Sequence, residues 1–159
     1  MESLKLTTKI LVYNIEECDE LIKNLIESAK SATCNSYAPY SHFQVGAAVL
    51  LDNGMIVSGN NQENAAYPSG ICAERTALFY ANAQYPHTAV AAIAIAAFHD
   101  GIFTDDPCTP CGSCRQVLLE AENRFGKDIR IIMYGVHRIF EVTSIKHLLP
   151  LSFGKKSLE

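Results

Sequence analysis

Apolar positions change their period several times along this chain, and each change marks an element. Asn14-Ile-Glu-Glu17 has the form of a capping box, with Asn in place of Ser or Thr. After it, Cys18, Leu21, Ile22, Leu25, Ala29 and Ala32 recur at helical spacing, which predicts an amphipathic helix with one core-facing stripe. Cys18 on that stripe reads as a small core hydrophobe. Phe43, Val45, Ala47 and Val49 then alternate, and 55–58 is a second short apolar run. Asp52-Asn53-Gly54 between them is a turn signal, so the pair reads as an antiparallel hairpin.

A second helix is predicted over about 72–84, and a strand over 89–98 whose Ala and Ile content suits burial on both faces. A third helix covers about 112–125 and ends near Gly126. Two more strands, 128–134 and 139–142, are separated only by Gly135-Val-His-Arg138. A parallel crossover needs a dozen or more residues, so these two are expected to be antiparallel neighbours. The elements add up to an α/β fold, a three-layer α/β/α sandwich around a five-stranded mixed sheet. One domain is expected over 1–159, with 1–13 as an N-terminal extension and 150–159 as a C-terminal tail.

Composition changes this picture little. The chain is 48% apolar and 19% charged, ordinary for a soluble globular protein. A net charge of −4 supplies no electrostatic reason to bind nucleic acid. The first residues, Met-Glu-Ser-Leu-Lys, lack the apolar run of a signal peptide, and the longest apolar stretch, Thr88 to Phe98, is too short to span a membrane. A cytoplasmic location without a membrane partner is the expectation. Three of the six cysteines crowd into 108–114, which favours metal binding over a disulfide framework. His42, His87, His99, His137 and His147 show no metal spacing and read as surface or packing residues.

The chemistry concentrates in Cys72-Ala73-Glu74-Arg75 and Pro110-Cys111-Gly-Ser-Cys114-Arg115-Gln116. Two Pro-Cys-x-x-Cys matches overlap here, one starting at Pro107 and one at Pro110. Pro110 disfavours helix at Thr109 but is tolerated at a helix entry. From Cys111 the chain can wind so that sulfurs at i and i+3 share a face, which selects Cys111 and Cys114 and leaves Cys108 as the spare. Helix N-termini favour the thiolates that a metal needs. Three thiolates suit one Zn²⁺ per chain and leave its fourth tetrahedral position free. They also leave net negative charge, so Arg75 and Arg115 are candidates to donate hydrogen bonds to the sulfurs, Arg75 being the better placed. Glu74 at the first turn of a helix can reach the same point as Cys72 and exchange protons there. A closed structural zinc, completed by Cys108 or a histidine, is the alternative use of these residues.

With those residues placed, the chain resembles the small homotetrameric cytidine deaminases that act on free nucleosides, over about 37–153. The blocks that carry the resemblance are Tyr37-Ala-Pro-Tyr40-Ser-His-Phe43-Gln-Val-Gly-Ala-Ala48, Asn61-Gln-Glu63-Asn-Ala-Ala-Tyr67, Cys72 to Arg75, Pro110 to Gln116, and Leu148-Leu-Pro-Leu-Ser-Phe153. It implies that Cys72, Cys111 and Cys114 hold zinc and that Glu74 shuttles protons. Asn61 and Glu63 would bond the ribose 3′-hydroxyl, and Tyr67 would lie by the sugar. Phe43 would pack on the pyrimidine, with the Ala73 backbone near the base. Phe153 would close over the base in a neighbouring subunit of a homotetramer. The implied reaction is hydrolytic deamination of cytidine or 2′-deoxycytidine in pyrimidine salvage. Ser113 and Cys108 are the departures from the family pattern.

Blander roles stay open for the substrate contacts: core for Phe43, solvated turn for Asn61 and Glu63, loop shaping for Tyr67, a disordered tail for Phe153. Three rival functions use the same residues. A nucleic-acid or tRNA deaminase is opposed by Cys72 in place of His, by the acidic balance and by the short connection at 135–138. An aminohydrolase of a nucleoside-like antibiotic is opposed by the Asn61 to Asn64 block. A zinc-stabilised binding module without catalysis is the third.

Overall fold

A computed structural model describes residues 1–158, so Glu159, the last position of the expected tail, lies outside the described residues. In chain order the elements are β1 (Leu11–Tyr13), α1 (Glu20–Ala32), β2 (Gln44–Leu51), β3 (Ile56–Asn60), α2 (Ala73–Gln84), β4 (Val90–His99), β5 (Ile102–Phe103), α3 (Gly112–Phe125), β6 (Arg130–Tyr134) and β7 (Ile139–Val142). The strands form one mixed sheet in the order β1-β7-β6-β4-β2-β3, with β5 paired to β4. β4 and β6 are parallel, and α3 lies in the connection between them. β2 with β3, and β6 with β7, are antiparallel.

The sheet has seven strands where the sequence predicts five. The two additional strands are three and two residues long, too short to impress a period on the sequence. β1 comes from the N-terminal extension, where the sequence predicts no element, and pairs antiparallel with β7. Its Tyr13 hydroxyl donates to Glu141, a carboxylate on β7 that is itself buried and accepts from Arg130 Nε at 2.7 Å.

Helices cover both faces because β2 and β4 alternate their side chains. Ala47, Val49, Ile93 and Ile95 pack with Ala77 and Leu78 of α2 and with Leu118 of α3. Ala48, Leu50, Ala92 and Ala94 pack with Ile22, Leu25, Ile26 and Ala29 of α1. The helices come close to the sheet at glycines. A Cβ on Gly46 would lie 2.0 Å from the Ala29 carbonyl oxygen, and one on Gly59 would lie 2.5 Å from the Ala77 nitrogen.

The start of α1 differs from the expectation. The Asn14 N–H does donate to Glu17 Oε2 at 2.8 Å, but this closes only a short 3₁₀ turn. Cys18 is extended (φ −76°, ψ 144°), and Asp19 caps the helix by accepting from the Ile22 N–H at 2.8 Å. The helical phase therefore starts after Cys18. Leu21 faces solvent at 51% exposure, Ile26 joins the buried stripe, and Cys18 packs against the core from outside the helix.

Glu122, buried near the end of α3, ties that helix to the entry of β6 and to the turn after β7. Its Oε1 accepts from the Ile129 and Ile145 N–H groups at 2.9 Å, and its Oε2 accepts from the Ser144 hydroxyl at 2.9 Å. A buried carboxylate is stable only when its oxygens are bonded in this way. Among the described residues no helix is long and apolar enough to cross a membrane.

Candidate active site

Two helix N-termini deliver the cysteines. Cys72 is the N-cap of α2 and Cys111 the N-cap of α3, both with extended backbone. Cys114 follows in the first turn of α3 and is fully buried. Cys72 Sγ lies 3.7 Å from Cys111 Sγ, and Cys111 Sγ lies 3.5 Å from Cys114 Sγ. All three sulfurs fall within 4.8 Å of one another. Thiolates held tetrahedrally about 2.3 Å from Zn²⁺ stand about 3.8 Å apart, so the donor set fits that ion. Cys108 is outside this trio.

The thiols are electrostatically unequal. Hydrogen bonds from Cys114, Arg75 and Cys111 pull Cys72 down to about 5, against the opposing effect of burial. Cys114 is pushed up by its bond to Cys72 and by burial, so Cys72 is the first of the two to ionise. Arg75 Nη2 lies 3.9 Å from the Cys72 sulfur, and its Nε is buried without a hydrogen-bond partner. Arg115 does not serve the sulfurs. Its Nε donates to the Pro110 carbonyl and its Nη1 to the Leu148 carbonyl, each at 2.8 Å. One turn of helix past Cys111, its side chain turns to the carbonyl of buried Pro110 and to that of half-buried Leu148 instead.

Glu74, in the first turn of α2, is 5% exposed. Burial pushes its carboxyl above the ordinary carboxylate range, and the neighbouring Cys72 adds to the rise. It shares a cavity of about 590 Å³ with Cys72, Arg75, Cys108 and Cys111, a volume typical of a small-molecule site. Cys108 is pushed up to about 11 by burial and then by the nearby Glu74 charge, so its thiol stays neutral.

Asn61, Glu63 and Tyr67 line the same cavity. Asn61 Oδ1 accepts from the Val45 N–H at 2.7 Å and from the Ser36 hydroxyl, while its Nδ2 donates to the Phe43 carbonyl at 2.9 Å. The side chain thereby pins the start of β2 to the end of β3. Glu63 accepts from the Tyr40 N–H at 2.8 Å and from the Ser41 hydroxyl, and these bonds hold its carboxyl below the usual range. Tyr67 is largely exposed and meets Tyr40 edge-on at 6.4 Å.

Three expected contacts lie outside the described wall: Phe43, Ala73 and Phe153. The Phe43 ring rests against His99 with centroids 5.7 Å apart. Ala73, the first residue of α2, is buried in the core. Phe153 is 60% exposed, and its carbonyl accepts from Gln116 Nε2 at 2.8 Å. The structure also adds wall residues to which the sequence gives no role, notably Tyr40, Ser41 and Gln62, and it sets the spare Cys108 in the same wall. The Ser41–Glu63 bond spans 22 residues, and no local spacing signals such a pair.

A mixed-sheet α/β scaffold with a metal-type cysteine cluster and a buried carboxylate in one cavity defines the class of protein. The family model described as the cytidine and deoxycytidylate deaminase zinc-binding region matches residues 19–139. A cytidine deaminase of Sporosarcina psychrophila is 37% identical over 137 residues, covering 86% of this chain and 94% of the relative. One from Halalkalibacterium halodurans is 38% identical over 134 residues, covering 84% and 95%. The solved cytidine deaminase from Burkholderia pseudomallei superposes with a TM-score of 0.69 at 41% identity, over 82% of this chain and 97% of that one. The chain belongs to the cytidine deaminase family, hydrolases that act on C–N bonds.

Proposed function

We propose that the protein deaminates free cytidine and 2′-deoxycytidine to the uridine analogues, as a step of pyrimidine salvage, with one Zn²⁺ per chain held by Cys72, Cys111 and Cys114. The observation that carries this reading is the placing of Glu74, a buried carboxyl raised above its ordinary range, in one cavity with the three-sulfur cluster. Zinc, when bound, supplies Lewis acidity that makes water a competent nucleophile near neutral pH. Glu74 takes a proton from the attacking water and delivers it to N3 of the pyrimidine as the oxygen adds at C4. It then assists proton transfer to the exocyclic amine, the C4–N bond breaks, and ammonia leaves. Arg75, with Nη2 beside Cys72, offsets part of the thiolate charge.

Asn61 and Glu63 are assigned to the ribose 3′-hydroxyl, and Tyr67 to the flank of the sugar. Ala73 is placed near the base through its backbone. The Phe43 carbonyl orients Asn61, and stacking of its ring on the base requires it to leave His99. An exposed Phe153 whose carbonyl is held by Gln116 suits a residue that serves a neighbouring subunit of a homotetramer. In this reading 1–159 is one cytoplasmic domain whose tail, from 150 on, completes the neighbour's site.

The described cavity wall contains one cation, Arg75, which already faces Cys72, and two carboxylates, Glu63 and Glu74. That charge balance favours an uncharged nucleoside over a nucleotide or a polynucleotide. The test is absorbance at the cytosine band with zinc-replete protein. Cytidine and 2′-deoxycytidine should both lose absorbance, while cytidine 5′-monophosphate and cytosine in single-stranded DNA should not. No change with either nucleoside would overturn the catalytic reading in favour of a zinc-stabilised binding module, and editing of the DNA would overturn the substrate class.

A further inference from the structure

We propose that Arg115 is a positioning residue that couples the cysteine loop to the C-terminal segment. The inference rests on the reading of Cys111 as a zinc ligand. Pro110, immediately before Cys111, is buried, and its carbonyl accepts from Arg115 Nε at 2.8 Å. A buried carbonyl left without a partner is unfavourable, so this bond fixes where the loop ends and α3 begins. The same guanidinium donates through Nη1 to the Leu148 carbonyl at 2.8 Å, 33 residues away in sequence. Leu148 packs against the core cluster that contains Leu118 and Leu119 of α3. The next residue, Gln116, holds the Phe153 carbonyl at 2.8 Å. Two consecutive side chains near the start of α3 thus grip the segment 148–153, and one of them also grips the loop that presents Cys111.

The two bonds of Arg115 leave one planar group in fixed, different directions. A lysine ammonium keeps the charge but has a single nitrogen and cannot reproduce that fork. Arg115→Lys therefore separates positioning from charge compensation. Its zinc should pass to a chromogenic chelator about tenfold faster than wild type, and chymotrypsin should cut within 148–153 about tenfold faster, as the loss of a charged hydrogen bond predicts. Gln116→Ala should speed only the cleavage. Arg124, at the far end of α3, donates to the Pro86 carbonyl at 2.7 Å, so Arg124→Lys controls for general loss of stability and should change neither rate.

Coupling is reciprocal, so the wild type offers a second measurement that needs no variant. Zinc-stripped protein should be cut within 148–153 faster than zinc-loaded protein. Wild-type rates for Arg115→Lys in either assay, or equal cleavage of the stripped and loaded forms, overturn the proposal. A wild type that takes up no zinc overturns the metal reading instead, and cleavage of Arg115→Lys then still decides whether Arg115 holds the segment.

Discussion

The sulfurs of Cys72 and Cys111 lie 3.7 Å apart although each residue caps a different helix. That separation matches an edge of a zinc–thiolate tetrahedron, about 3.8 Å. Cys108, in the wall of the same cavity, stands outside the trio with a thiol held up to about 11. Cys108→Ser should retain one zinc per chain and full turnover, whereas Cys111→Ser should lose the metal. Metal analysis of the two purified variants decides the matter, and loss of zinc from Cys108→Ser would reverse the choice of register.

Glu74→Gln preserves the shape of the side chain and removes its basicity. Because Glu74 is not one of the three clustered sulfur donors, zinc content should be unchanged while kcat drops by ~10²–10⁴-fold. Near-normal turnover in a zinc-loaded Glu74→Gln protein would remove Glu74 from the mechanism.

Burial of Glu74 also has a signature in stability. Its carboxyl titrates above the ordinary range in the folded protein, so the folded state holds this proton more tightly than the unfolded chain does. Its contribution therefore declines as pH rises from the unfolded carboxyl value to the raised folded one, by about 1.4 kcal/mol per pH unit inside that window. In metal-free protein, Glu74→Gln should become progressively more stable than wild type across the window and hold a constant advantage above it. Urea unfolding at a series of pH values measures this, and parallel profiles would refute it.

Gly135 sits where the β6–β7 turn crosses the segment leading into the cysteine loop. A Cβ there would lie 2.6 Å from the Asp105 carbonyl oxygen and 2.7 Å from the Pro107 nitrogen. The Val136 N–H donates to the Thr104 carbonyl at 3.0 Å and binds the same two stretches of chain together. Gly135→Ala should destabilise the fold by about 1–3 kcal/mol, the usual range for overpacking. Thermal unfolding with and without zinc is the measurement, and an unchanged Tm would show that the crossing relaxes freely.

Much of the scaffold is legible in the sequence because its longer elements are periodic. The pattern places β4 and α3 to within a residue of their bounds, and Gly126 at φ +62° ends α3 as a left-handed glycine should. The phase of α1 is misleading because the Asn14–Glu17 box looks like the start of the helix, while Asp19 is its actual cap. The pairing of β1 with β7, held by Tyr13 and Glu141, rests on contacts more than a hundred residues apart that leave no local trace.

For the site, residue chemistry and spacing are enough to single out Cys72, Glu74, Cys111 and Cys114, since i, i+2 and i+3 relations at a helix start are set by local backbone geometry. Only the tertiary structure decides where the flanking arginines go. Arg75 and Arg115 each follow a cysteine closely in sequence, yet one faces a sulfur and the other faces two carbonyls. A long, flexible cation takes whichever acceptor the surrounding chain has left unpaired, and that choice depends on Leu148, which meets α3 only once the sheet and helices have packed.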